Sequence, residues 1–344
     1  MKPIDKISRF FASLSWVKWI FLAIFALLLL ALPFLPLPQV TLWVRILGYA
    51  GLYIILGIGL LIHVGFAGLL DLGFAAYYGI GAYLYAILAS RQFDIHLPFW
   101  IMLLIGGVAA ALVGALISVP VLRLRGDYLA IVTLGFGEII RLLLLNLKGI
   151  TNGSQGIIRI DKPDLFGLTF NTGTHFYYLI LILIVFFVFI TNRLIHSRLG
   201  RAWLAIREDE DVAEISGVNT VWYKLLAFAL GAFIGGVAGV VFAAWQGSIF
   251  PDNFNLTASI NVLCLIILGG LGNQYGVILG ALGLIALPDM LRGFSEFRML
   301  IFGILLVVMM ILKPNGFIPR VPPKFEKKIP KLAMQKNASE KEST

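Results

Sequence analysis

The chain of 344 residues is 60% hydrophobic and only 13% charged, about half the roughly 25% charged fraction of an ordinary soluble domain. One core could not hide that much apolar surface, which excludes a soluble enzyme and a disordered chain, and long apolar runs in place of short alternating segments exclude a β-barrel. The net charge of +9 reads as a membrane-topology signal rather than a nucleic-acid footprint.

Charge-free stretches mark the expected spans: 19–44, 46–70, 72–90, 95–122, 165–192, 225–251, 253–288 and 299–312. A further apolar segment, 128–147, is interrupted by Glu138 and Arg141. The run 253–288 exceeds one crossing of about 20 residues, and its centre, GGLGNQYG at 269–276, carries glycines and polar residues that break a helix. It is read as two short segments. The fold expected is all-α and polytopic, with about ten transmembrane segments, some short or broken.

Orientation follows from lysine and arginine placement. With an interior N-terminus, 19 of the 27 basic residues fall inside, 7 outside, and Arg141 within a span. If 253–288 crossed once, the count would be 13 against 13, so two crossings and cytoplasmic termini are preferred. The expected organisation is a cytoplasmic segment 1–18, a transmembrane domain 19–312 and a basic cytoplasmic tail 313–344, read as disordered and close to anionic lipid. The N-terminal apolar stretch is too long for a signal peptide and no A-x-A-like site follows it. The lone cysteine, Cys264, sits in an apolar run and reads as a small hydrophobe.

Segment 193–224 is the longest interior loop. Leu199, Ala202, Trp203 and Ile206 recur at i, i+3, i+4, i+7, the mark of an amphipathic helix. An acidic cluster, Glu208 to Asp211, follows, then Val212, Ala213, Glu214, Ile215 and Gly217, a glycine placed as a C′ cap. Anionic lipid would repel those acids, so a protein partner is preferred to a resting place on the membrane.

Charges inside spans are costly and mark function or packing. Glu138 and Arg141 face each other at i, i+3. They form either a neutralised pair that fixes helix packing, or a pathway site in which Arg141 meets a carboxylate and Glu138 an ammonium. Asp71 opens a glycine-rich segment and Asp127 precedes the 128–147 segment; both read as helix N-terminal caps. Gly231, Gly235 and Gly239 form a small-xxx-small ladder for close helix approach, within the chain or at a dimer interface. Short likenesses near 65–80 and 267–277 suggest two discontinuous helices of the kind transporters place at mid-membrane.

Several longer stretches carry a family resemblance. These are GLLDLGFAAYYGIGAYL (68–84), VLRLRGDYLAIVTLGFGEIIRLLLLN (121–146), ITNGSQGI (150–157), GRAWLAIREDE (200–210), ILGGLGNQYGVILGA (267–281) and KPNGFIP (313–319). Over about residues 46–319 the chain resembles the M-type permeases of branched-chain amino-acid ABC importers. VAEISG (212–217) loosely fits the coupling motif of such permeases, without its opening glutamate–alanine pair. TNGSQG (151–156) stands where the family more often reads T-G-G-P-N-G.

The resemblance implies a permease in a bacterial cytoplasmic (inner) membrane. The implied partners are a second permease, two cytoplasmic ATPases, a periplasmic or lipid-anchored binding protein and membrane lipid, with no nucleic acid. It implies that ATP and magnesium belong to the ATPases. The chain itself has no G-x-x-x-x-G-K-[ST] and no glycine–lysine pair with which to hold nucleotide, and no cofactor or metal is expected on it. Ile206, Arg207, Glu208, Ala213, Glu214 and Gly217 are the candidate ATPase contacts, against the plain alternative of a solvated helix face. A urea or short-amide permease and an ion-coupled secondary carrier are the alternatives. An enzyme is disfavoured because His63, His96, His175 and His196 are scattered without metal-ligand spacing.

Overall fold

A computed structural model describes residues 30–34, 40–90, 97–122, 124, 126–165, 168–170, 172–286, 303, 307 and 316–318. Helix dominates: α1 (Val40–Leu60), α2 (Phe74–Leu88), α3 (Phe99–Val121), α4 (Asp127–Asn146), α5 (Gly173–Ile195), α6 (Arg198–Glu208), α7 (Glu210–Ile215), α8 (Thr220–Gln246), α9 (Leu256–Gly269) and α10 (Gln274–Ala281). Two two-residue antiparallel pairings, Ile157–Ile158 with Ser248–Ile249 and Asp164–Leu165 with Leu168–Thr169, add a trace of strand to the expected all-α fold.

Among the described residues, six helical stretches are long and apolar enough to cross a membrane: Val40–Phe66, Phe99–Val121, Asp127–Asn146, Gly173–Ile195, Thr220–Gln246 and Pro251–Gly269. Phe74–Leu88 and Gln274–Ile285 are shorter apolar helices. The protein is therefore a multi-pass membrane protein. Eight of the expected segments have helical counterparts among the described residues. Most of the first expected span, the last span and nearly all of 313–344 lie outside them, as do residues 1–18. Arg45, expected between two spans, stands inside α1, because the helix already begins at Val40. The sixth expected segment starts as backbone pairing at 164–169, and its helix begins only at Gly173.

The glycines explain how the helices pack. α8 is the central helix, flanked by α2, α3 and α1. A Cβ on Gly81 of α2 would stand 2.0 Å from the carbonyl oxygen of Gly236 in α8, so the two backbones touch. The ladder Gly231, Gly235, Gly239 is buried inside the subunit, against His63, Phe74 and the backbone of Tyr78. It is an internal packing device. α4 is the opposite case. Only Leu129, Ala130 and Thr133 of it are buried, and Ile131, Ile139 and Leu143 point out of the subunit.

Two helices are interrupted. α1 continues as a π-helical segment, Leu61–Phe66, and the chain then turns through 67–73 into α2. α9 ends at Gly269, and a turn through Gly270 and Gly272 leads into α10; these two glycines hold φ of 115° and 92°, a region that favours glycine. The interruptions meet, since a Cβ on Gly65 would lie 3.2 Å from the Gly272 amide nitrogen. Residues 316–318 cover the same place: the Phe317 and Ile318 amides donate to the Leu268 and Gly269 carbonyls at 2.8 and 3.0 Å, satisfying acceptors left open at the end of α9.

Candidate functional site

The segment 197–217 folds as two short helices braced against span ends. Ser197 caps α6, accepting from the Leu199 and Gly200 amides. The face expected from periodicity packs inward, with Ala202, Trp203 and Ile206 buried. The Trp203 indole donates to the Tyr223 carbonyl at 2.8 Å, and the Arg207 guanidinium donates to the Gly65 carbonyl in the π-helical segment. Asp209 is extended and caps α7, accepting from the Asp211 and Val212 amides at 3.0 and 3.1 Å. Glu210 and Asp211 fill the first turn of α7, where acids complement the open amides. Glu210 also reaches Lys224 of α8 at 2.6 Å. After α7, Gly217 takes φ 86°, and Val218 donates to the Ala213 carbonyl.

This arrangement sorts the six docking candidates. Glu208, Glu214 and Gly217 are exposed. Ile206 and Ala213 are buried within the subunit, so they present little surface to another chain. Arg207 is half-buried and engaged with Gly65. The outward apolar surface comes instead from Val212 and Ile215, 58% and 88% exposed. Their i, i+3 spacing puts them on one face of α7, a signal the sequence carried beside Ala213.

The second centre lies along α4. Arg141 Nε donates to both carboxylate oxygens of Glu138, at 2.9 and 3.1 Å, and its terminal nitrogens reach Glu138 at 2.5 Å and Asp252 at 3.2 Å. One guanidinium thus serves two carboxylates, leaving the cluster with net −1. Asp252, ahead of α9, is the partner that sequence reading missed, since 111 residues separate it from Arg141. Its side chain is 85% exposed outside the subunit. Beside the cluster a cavity of about 200 Å³ opens between α2, α4 and α9, walled by Leu72, Ala76, Leu134, Glu138, Leu256 and Ser259. A carboxylate among apolar walls can meet a small molecule with a cationic head and an aliphatic body.

The third centre corrects the reading of Asp71 as a cap. Gly73 holds the N-cap position of α2, and the Asp71 side chain is wholly buried in a pair with His63, Oδ2 to Nδ1 at 2.9 Å. Its other oxygen accepts from the Gly73 amide at 2.9 Å. The chain turns at Gly68 so that Asp71 points into the core, where His63 Nε2 also meets the Phe228 carbonyl at 3.3 Å. Asp127 is likewise no cap: it is the first residue of α4, after Gly126, and no side chain closes that end. Its contribution is charge in the first turn.

Residues 42–312 match the family described as "Branched-chain amino acid transport system / permease component". The high-affinity branched-chain amino acid transport system permease protein LivM of Escherichia coli (strain K12) is 43% identical over 300 residues, covering 80% of this chain and 70% of that protein. The protein of the same description from Salmonella typhimurium is 42% identical over the same shares. The Salmonella typhimurium permease LivH is 31% identical over 134 residues, 38% of this chain and 42% of its own length. No solved structure matches the chain at a significant level.

Proposed function

The chain belongs to the family of branched-chain amino acid transport permeases, and from that we propose that it is the membrane-spanning permease subunit of an ATP-driven importer that moves leucine, isoleucine and valine into the cytoplasm. The complex so proposed contains a second permease, two ATPase chains and a substrate-binding protein. It sits in the bacterial inner membrane with 193–224 on the cytoplasmic side. Nucleotide and magnesium belong to the ATPases.

The observation that carries the ATP-driven reading is the outward pair Val212 and Ile215 on α7. Two apolar side chains stand exposed among acids on α7, which Glu210 ties to α8, while Trp203 and Arg207 tie the preceding α6 to the span ends. Such a patch marks a protein contact. Its rigid backing suits a part that is pushed as a body when the partner closes, which is how alternating access can be driven from outside the membrane.

The charged cluster supports the transport path. Charges within a span are costly against lipid, and Glu138 is partly open on the outer face of the subunit, with the exposed Asp252 beside it between two spans. That face is therefore assigned to a water-filled path shared with the second permease. There Arg141 attracts the carboxylate and Glu138 the ammonium of a zwitterion, while Leu72, Leu134 and Leu256 receive the branched side chain.

Uptake of labelled leucine into proteoliposomes holding the complete complex tests the reading. It is expected to require both ATP and the binding protein. Uptake by this polypeptide alone, driven by an ion gradient, would overturn it.

A further inference from the structure

The buried His63–Asp71 pair belongs neither to the docking surface nor to the charged cluster. Both side chains are fully buried. His63 lies in the π-helical segment of α1, and its ring packs against Phe74, Tyr77 and Phe228 at centroid distances of 5.6, 6.2 and 4.8 Å. Gly231 makes room for it, since a Cβ there would stand 2.2 Å from Nε2. Both ring nitrogens are engaged, Nε2 with the Phe228 carbonyl and Nδ1 with Asp71.

The pair is one link in a line in which polar contacts are joined through the backbone of α8. The line starts at Glu210 in α7 and passes to Lys224 of α8 at 2.6 Å. Lys224 and Phe228 stand one turn apart on α8, on the same face. From the Phe228 carbonyl it runs through His63 to Asp71, and from Asp71 to the Gly73 amide. Gly73 leads directly into the first turn of α2, whose amides lack helical partners of their own. The Leu72 amide donates to Thr133 Oγ1 of α4 at 3.1 Å and the Ala75 amide to Ser259 Oγ of α9 at 2.9 Å. Leu72, Ala75 and Ser259 line the cavity. The line thus begins behind the docking surface and ends at the cavity wall.

We propose that His63 and Asp71 are positioning residues for transport, a hydrogen-bonded joint that carries movement of the docking helix, through α8, to the first turn of α2 and the cavity beside Glu138. Stability alone is a poor account of the pair, because a buried polar or ionic pair holds helices together no better than well-packed apolar residues do. What it adds is direction: His63 fixes α8 to the interruption of α1, and Asp71 fixes that interruption to α2.

The proposal rests on the ATP-driven reading, and the experiment separates their failures. The complete complex is reconstituted with each variant, and ATP hydrolysed per leucine imported is measured along with co-purification of the ATPase. Absence of ATP-dependent uptake in the wild type sinks the reading itself; with the wild type coupled, the variants judge the joint. Asp71→Asn keeps both bonds, its amide nitrogen donating to Nδ1 and its oxygen accepting from Gly73, so its ratio is expected to stay within about twofold of wild type. His63→Asn keeps the bond to Asp71 and loses the one to Phe228, so ATP per leucine is expected to rise about fivefold or more with assembly intact. A wild-type ratio in assembled His63→Asn, or uncoupling in Asp71→Asn as large as in His63→Asn, overturns the proposal.

A double variant supplies a readout that a merely structural role would not move. Glu210→Ala cuts the same line at its outer end. Combined with His63→Asn it is expected to raise the ratio no further than the larger single change. Effects that multiply in the double variant show two independent sites and overturn the joint. If His63→Asn fails to assemble, Glu210→Ala with Gly231→Ala, which displaces His63 from Phe228, is judged by the same rule.

Discussion

Lys224 Nζ stands 2.6 Å from Glu210 Oε2, and this bond fastens the short helix α7 to the central helix α8. The two partners are unequal, for the lysine is 2% exposed and the glutamate 21%. Removing the acid strands a charge in the core, whereas removing the lysine leaves the acid at the less buried end of the pair. Glu210→Ala is therefore expected to destabilise by about 1.5–3 kcal/mol. Lys224→Met, which keeps the volume, is expected to cost less than about 1.5 kcal/mol. Thermal unfolding in detergent checks the order; equal losses would show that burial of the lysine is not the cause.

Ile215 stands 88% exposed on α7 with Val212 beside it. Neither supports the fold of this subunit. Ile215→Asp is expected to change stability by no more than about 0.5 kcal/mol while abolishing co-purification with the ATPase. Unchanged co-purification would remove this face from the docking surface.

Arg141 is the cation that joins Glu138 and Asp252. Arg141→Leu leaves two exposed carboxylates without their shared cation and is expected to reduce leucine transport about tenfold or more, equivalent to about 1.4 kcal/mol. Arg141→Lys keeps the charge and loses the planar fork that serves both acids, so an intermediate rate is expected. Wild-type transport by the leucine variant would exclude both a pathway role and an essential ion-pair role.

The contact of Gly81 with the Gly236 carbonyl leaves no room for a methyl group. Gly81→Ala is expected to destabilise the subunit by about 1–3 kcal/mol or more. Gly135 on α4 has nothing within 4 Å of a built Cβ. Gly135→Ala is expected to be neutral or to stabilise the isolated subunit by up to about 1 kcal/mol, the difference in helix propensity. Unfolding midpoints of the two variants in detergent decide the matter.

Much of the helical framework is legible in the order of residues. The apolar runs at 95–122 and 225–251 form α3 and α8, because a helix of about 20 apolar residues is the simplest way to satisfy backbone groups in lipid. The glycines at 269–272 break the run 253–288 into α9 and α10, as their composition indicates. The Glu138–Arg141 pair follows from i, i+3 spacing alone. Element starts are harder to see: Arg45 is compatible with a helix that has already begun, since an arginine near a span end can reach the interface.

Local order along the chain dictates membrane residence, the amphipathic face of α6, the capping glycine after α7 and the family to which the chain belongs. Packing in three dimensions selects which of the docking candidates face outward and brings Asp252 to the Arg141 cluster. It also turns Asp71 from an expected cap into the buried partner of His63. The reason is physical. Helical periodicity sets a side chain's direction within its own helix, over three or four residues. Which helix then stands opposite depends on where glycines such as Gly231 and Gly236 let backbones meet, and that is settled between residues more than a hundred positions apart.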